Sequence, residues 1–231
     1  MPACPFAIQK HLTGEVGPYD GGPFKIVHHT TEGSTAEGAM DAFRTHRSDP
    51  HFTVDGLHIY QHIDTGLAAR ALRNPPGGVQ TNTDSAVQIE LVGFAGKLKN
   101  KAALRNMARL CRWIEGTHGV PRVWPNGPPK TSVKGADPGG HNRDAKTWNT
   151  KGGHYGHSNV PENVHWDPAY TKLEAEFVMA AEFDAEGALT NANAPAVHAY
   201  TTFVPSTQAA AIEPVVMVDH DDVGEDDNAP K

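Results

Sequence analysis

A mixed β-sheet with α-helices packed on it is the fold predicted for this chain, in the α/β class. Three observations predict it. Short apolar or alternating runs have strand length, other segments carry apolar residues at helical spacing, and the two kinds interleave along the chain. With 231 residues and 38% hydrophobic content, the chain suffices for one medium-sized domain with a substantial core.

Residues 1–22 hold Pro2, Pro5, Gly14, Gly17, Pro18, Gly21 and Gly22 and read as an irregular arm. Phe24 to His28 is an apolar run after a turn signal, hence a buried strand. Ala36 to His46 places Ala39, Met40 and Phe43 on one side and is predicted helical. His51–Val54 and Leu57–Ile63 flank Asp55-Gly56, a hairpin signal, because glycine accepts the positive φ of a tight turn. Ala86 to Val92 alternates Val87, Ile89 and Leu91 against Gln88 and Glu90, as a strand does. Lys101 to Gly116 is the clearest helix, with Leu104, Met107, Ala108, Cys111 and Ile114 at helical spacing. Residues 121–151 form a long Pro/Gly-rich loop, a feature usually functional or mobile. His154 to Val160 reads as a short strand or turn, and Pro168 to Phe183 as a last amphipathic helix. Residues 184–231, ending in the acidic stretch Asp219 to Asp227, read as a flexible tail or linker. The expected organisation is therefore an arm (1–22), one domain (23–183) and a tail (184–231).

Composition narrows the function. The net charge of -7 and the lack of a Lys/Arg run disfavour a nucleic-acid partner. No apolar stretch approaches a membrane span, so no membrane insertion is expected. The first 22 residues lack a basic segment followed by an apolar one, so a Sec signal peptide is not expected. Cys4 and Cys111 make no disulfide framework, and Cys111 reads as a small buried hydrophobe.

Fourteen histidines are many for this length, and histidine is the commonest metal ligand. Metal-type residues gather at His28-His29, at His154 and His157, and at His165 and Asp167. A catalytic zinc needs three protein ligands and an open position for water, which histidine and aspartate suit. With no cysteine pair for a closed structural site, a metal here points to catalysis.

Four segments now carry a resemblance: Ile26–Thr30 (IVHHT), His51–Gln61 (HFTVDGLHIYQ), Val87–Gly93 (VQIELVG) and Gly156–Pro168 (GHSNVPENVHWDP). Over roughly residues 22–183 the chain resembles the type 2 N-acetylmuramoyl-L-alanine amidases, which include phage endolysins, bacterial cell-wall amidases and peptidoglycan recognition proteins. The resemblance implies that family's fold and a single Zn2+ ion. It also implies hydrolysis of the amide between N-acetylmuramic acid and L-alanine in bacterial peptidoglycan, by a monomer. Carried over by motif, the metal ligands fall on His28, His157 and Asp167, the strand glutamate that takes the water's proton falls on Glu90, and the residue that stabilises the oxyanion falls on His165. His29 and His154 are left outside the ligand set.

The chain departs from the family at His165, where lysine is common, and at Pro50, where some members carry tyrosine. His165 reads either as catalytic or as a partner that orients Asp167. Trp148, Tyr155 and Trp166 are candidates to line a substrate groove or to pack around the site, and the 121–151 loop is expected to form one wall. A protein made in the cytoplasm and acting on the cell wall, as an endolysin does, is the expected setting. Two rivals remain: a peptidoglycan-binding module of the same fold, and a histidine–asparagine nuclease suggested by Gly140-His141-Asn142-Arg143.

Overall fold

The computed structural model describes residues 3–12, 14 and 17–203. Eight strands are assigned among them: β1 (Ile8–Gln9), β2 (Gly17–Pro18), β3 (Lys25–Thr30), β4 (Phe52–Val54), β5 (Ile59–Gln61), β6 (Leu67–Ala68), β7 (Ala86–Leu91) and β8 (Gly153–Gly156). The helices are α1 (Ala36–His46), α2 (Lys101–His118), α3 (Ala145–Thr150), α4 (Lys172–Ala180) and α5 (Pro195–Thr202). Six strands form one sheet in the order β1-β5-β4-β7-β3-β8, while β2 and β6 form a separate pair. The sheet is mixed: β3 runs parallel to β7 and β8, and β4 is parallel to β7 but antiparallel to β5.

β3 and β7 lie in the middle of the sheet, and all six residues of each are buried. Alternation sends Ile26, Val87, Ile89 and Leu91 to one face, into a core with Leu104, Met107, Cys111 and Ile114 of α2 and Phe177 and Val178 of α4. Val27 and Ala86 face the opposite way, packing with Trp148 of α3 and with Tyr155. α1 also covers this second face, where Ala36, Met40 and Phe43 meet Tyr60.

The helices begin where their caps dictate. Thr35 accepts from the Gly38 N–H at the start of α1, and Asn100 accepts from the N–H groups of Ala102 and Ala103 at the start of α2. Thr171 and Glu174 cap α4 reciprocally. Gly119, in the left-handed region at φ 67°, ends α2.

Two boundaries differ from the sequence reading. Within the expected arm, β1 pairs with β5, and the Cys4 N–H donates to Gln61 Oε1 at 2.8 Å. Residues 184–203, expected as the start of a tail, fold back onto the domain. Val197 and Tyr200 of α5 are buried against the core of α2 and α4, with the Tyr200 ring 4.3 Å from that of Phe177. The Ala/Asn/Pro-rich composition hides this, because two apolar anchors are enough to seat one short helix. Residues 204–231, with the acidic stretch, lie outside the described residues.

Candidate active site

The strand that carries the paired histidines determines which of them can serve the site. In β3 the side chains alternate, so His28 joins the α2 face with Ile26, and His29 joins the opposite face with Val27. Register then places His29 beside Glu90 of the parallel strand β7. β8 runs beside β3 and delivers His157 immediately beyond its end, in a short 3-10 turn. Asp167 returns from the following loop. The Thr30 N–H donates to its Oδ2 at 3.0 Å, and the Ser158 N–H donates to its backbone carbonyl at 2.9 Å.

His29, His157 and Asp167 converge, with one donor atom from each lying within 4.8 Å of the others. His29 Nδ1 lies 3.0 Å from His157 Nδ1, and His157 Nδ1 lies 3.2 Å from Asp167 Oδ1. His157 Nε2 bonds Asn163 Oδ1 at 3.0 Å, which fixes the ring and leaves Nδ1 directed inward. Glu90 Oε1 stands 3.9 Å from His29 Nδ1, and Asp167 Oδ2 lies 3.9 Å from the same nitrogen. Glu90 Oε2 and His29 Nε2 are buried and find no hydrogen-bond partner among the described residues.

This geometry corrects the placement of His28 with His157 and Asp167. The structure brings His157 and Asp167 together, and His29 is the histidine that joins them. His28 lies on the other face of the sheet, where its Nε2 is 2.9 Å from His154 Nδ1. It belongs with Cys111 and His154, a second group of buried donors. Asn163 was missed as the partner of His157 because nothing in its loop context marks it.

The electrostatics follow from burial. Desolvation pushes the Glu90 carboxyl well above the ordinary range, and the nearby charges of Asp167 and Glu32 push it the same way. Burial also drives the His29 imidazole well below its usual value, with His157 adding to the shift. Burial opposes ionisation of Asp167, yet His157, His29 and His165 together hold its carboxyl far below the usual carboxylate range.

His165 is exposed at the rim, its ring stacked on His157 with centroids 4.7 Å apart. Trp166 is half-buried, whereas Trp148 and Tyr155 are fully buried and pack edge to face at 5.0 Å. Those two are core residues, not a groove lining. From the long loop, Arg143 donates to the His165 carbonyl at 2.8 Å and so supports the rim. The Gly140–Arg143 motif is occupied structurally: His141 Nε2 bonds Asp137 Oδ1 at 2.7 Å, and the Asn142 side chain donates to the Asn126 carbonyl at 3.2 Å.

Two imidazoles and a carboxylate, with a buried glutamate beside them, are a group that could hold a metal ion. The family model for N-acetylmuramoyl-L-alanine amidase matches residues 21–170, and the chain belongs to that family. No curated protein matches. Among solved structures, the Staphylococcus aureus hydrolase AmiA is 15% identical, with 72% of this chain and 74% of that one covered and a TM-score of 0.47. The N-acetylmuramoyl-L-alanine amidase LysC from Clostridium intestinale URNW is also 15% identical, with 75% and 96% covered and a TM-score of 0.48. PlyL is 20% identical, with 50% and 76% covered and a TM-score of 0.40.

Proposed function

We propose that this chain hydrolyses the amide between N-acetylmuramic acid and L-alanine in bacterial peptidoglycan, using one zinc ion held by His29, His157 and Asp167. The observation that carries the reading is the convergence of those three side chains beside Glu90, in a chain of this amidase family.

The donors fit the ion. Tetrahedral zinc with bonds of about 2.0–2.1 Å sets neighbouring donors about 3.3 Å apart. The separations of 3.0 and 3.2 Å lie close to that. The set of two nitrogens and one oxygen is the kind that leaves a fourth position for water. Buried His29 Nε2 and Glu90 Oε2, which find no hydrogen-bond partner among the described residues, also fit a site built for a polar or ionic occupant. When bound, zinc supplies Lewis acidity, which polarises a carbonyl and acidifies water.

The remaining work falls to the chain's own residues. Glu90 takes a proton from the attacking water as its oxygen adds to the lactyl carbonyl carbon. Glu90 then gives it to the alanine nitrogen as the C–N bond breaks, leaving a carboxylic acid on the glycan and a free amine on the stem peptide. His165, exposed at the rim and stacked on His157, donates to the carbonyl oxygen as negative charge develops there. Asn163 and the Thr30 N–H hold His157 and Asp167 in position.

Incubation of purified peptidoglycan with the protein, followed by mass spectrometry, tests the reading. Intact stem peptides with a free N-terminal alanine are expected, with glycan strands left uncut. Their release should stop with a zinc chelator and resume when zinc is restored. Bound wall with no peptide released would instead favour a recognition module.

A further inference from the structure

A second group of metal-type donors lies across the sheet from the site just described. His28 from β3, His154 from β8 and Cys111 from α2 are all fully buried, with one donor atom from each within 4.8 Å of the others. The register of β3 and β8 pairs Ile26 with His154, which sets the two imidazoles on the same face. Nothing in the proposed hydrolysis uses them.

Each imidazole is fixed from outside. His28 Nδ1 lies 3.2 Å from the Tyr170 hydroxyl, and His154 Nε2 lies 3.0 Å from Glu115 Oε1. Glu115 is itself held by Arg112 and, at 2.9 Å, by Arg122 Nε. Burial works against a charge on Glu115, but His154 and Arg112 prevail and keep its carboxyl below the ordinary range. It is thus a firm acceptor for an imidazole N–H. With the outer nitrogens engaged, His28 Nε2 and His154 Nδ1 face each other at 2.9 Å beside the Cys111 sulfur. A carboxylate or hydroxyl on the outer nitrogen and a free inner nitrogen is how metal-ligating histidines are usually supported. Trp124 lies against both rings, with centroids at 5.0 and 5.4 Å.

We infer that His28, His154 and Cys111 form a second, buried metal site, one that takes a borderline transition-metal dication such as Zn2+. Two nitrogens and a sulfur exclude Mg2+ and Ca2+, which require oxygen donors. Binding replaces the hydrogen bond between the two imidazoles: the proton on His28 Nε2 moves to Nδ1, which then donates to the Tyr170 hydroxyl oxygen, and the proton of the Cys111 thiol leaves to solvent as sulfur bonds the ion. The site is enclosed between β3, β8 and α2, so its role is to tie the sheet to the helix layer.

Cobalt substitution of the full chain tests this independently of the proposed active site, whose three donors include no sulfur. Metal-free protein is titrated with Co2+ while metal content and the near-ultraviolet thiolate-to-cobalt charge-transfer band are followed. The parent should bind two equivalents and develop the band. Cys111→Ser and Cys111→Ala should each bind one equivalent and lose the band. Asp167→Asn should keep the band, and so should Cys4→Ser, which removes the other cysteine. A parent that binds one equivalent without the band, or a band that survives in both Cys111 variants, would overturn the second site. If the band appears but peptidoglycan is not cut, the second site stands and the amidase reading fails.

Discussion

His28 and His29 are adjacent in sequence, yet strand alternation sends them to opposite faces of the sheet, so substituting them should have different consequences. His29→Ala is expected to abolish peptide release from peptidoglycan, with a loss of at least about 100-fold, because it removes a donor beside Glu90. His28→Ala should lower stability and leave residual activity, since His28 lies in the opposite layer between Tyr170 and His154. Equal loss of activity with unchanged stability in both would contradict this assignment. Glu90→Gln keeps the shape of a buried side chain and removes its proton chemistry. A fall in kcat of about 100- to 10,000-fold is expected, with a melting temperature equal to or above that of the parent, because a carboxyl raised by burial and by Asp167 costs stability when ionised. The sequence could not resolve the choice between the two histidines for a physical reason. Ile26 and Val27 are both apolar and both buried, so a strand covered on both faces leaves no alternation to read. Glu90 was easier, because Val87, Ile89 and Leu91 mark the opposite face of its strand.

Among the elements, those with strong local signals were legible. α1 spans Ala36–His46 as its apolar spacing predicts, α2 runs to His118, and the Asp55-Gly56 turn joins β4 to β5. α4 is shorter than expected, starting at Lys172 because the reciprocal cap of Thr171 and Glu174 fixes its first turn. Thr171→Ala should therefore cost about 1 kcal/mol in chemical denaturation, the usual value for a lost cap. β1, β2, β6 and α5 were not legible. Each is short and gains its stability from long-range pairing or packing, which single-sequence patterns do not carry. α5 gives the sharper test. Tyr200→Ala removes a buried ring that packs on Phe177 and should destabilise the domain by about 3 kcal/mol. An unchanged denaturation midpoint would mean that residues 184–203 do not belong to the folded body.

At the scale of the molecule, buried neutral histidines set the response to acid. Burial lowers His51 and His62 each to about 4, from the ordinary 6.5. The unfolded chain therefore binds protons that the folded chain excludes. Stability from these groups is complete above about pH 6.5 and is lost as the pH falls towards 4, by about 3 kcal/mol for each. Denaturation midpoints measured between about pH 7 and 4.5 should fall steadily, whereas a flat profile would show that these imidazoles are not excluded from protonation. The layered fold was legible because strand and helix periods alternate along the chain. The site was legible only in part, since His157 and Asp167 lie in a specific local pattern while their partner is chosen by the sheet. The central claim is that His29, His157, Asp167 and Glu90 cut the bond joining muramic acid to alanine. Mass spectrometry of digested peptidoglycan, comparing the parent with Asp167→Asn, tests it most directly. The account predicts whole stem peptides beginning with free alanine from the parent, and none from the variant. Equal release by both, or cleavage within the glycan or the peptide instead, would contradict it.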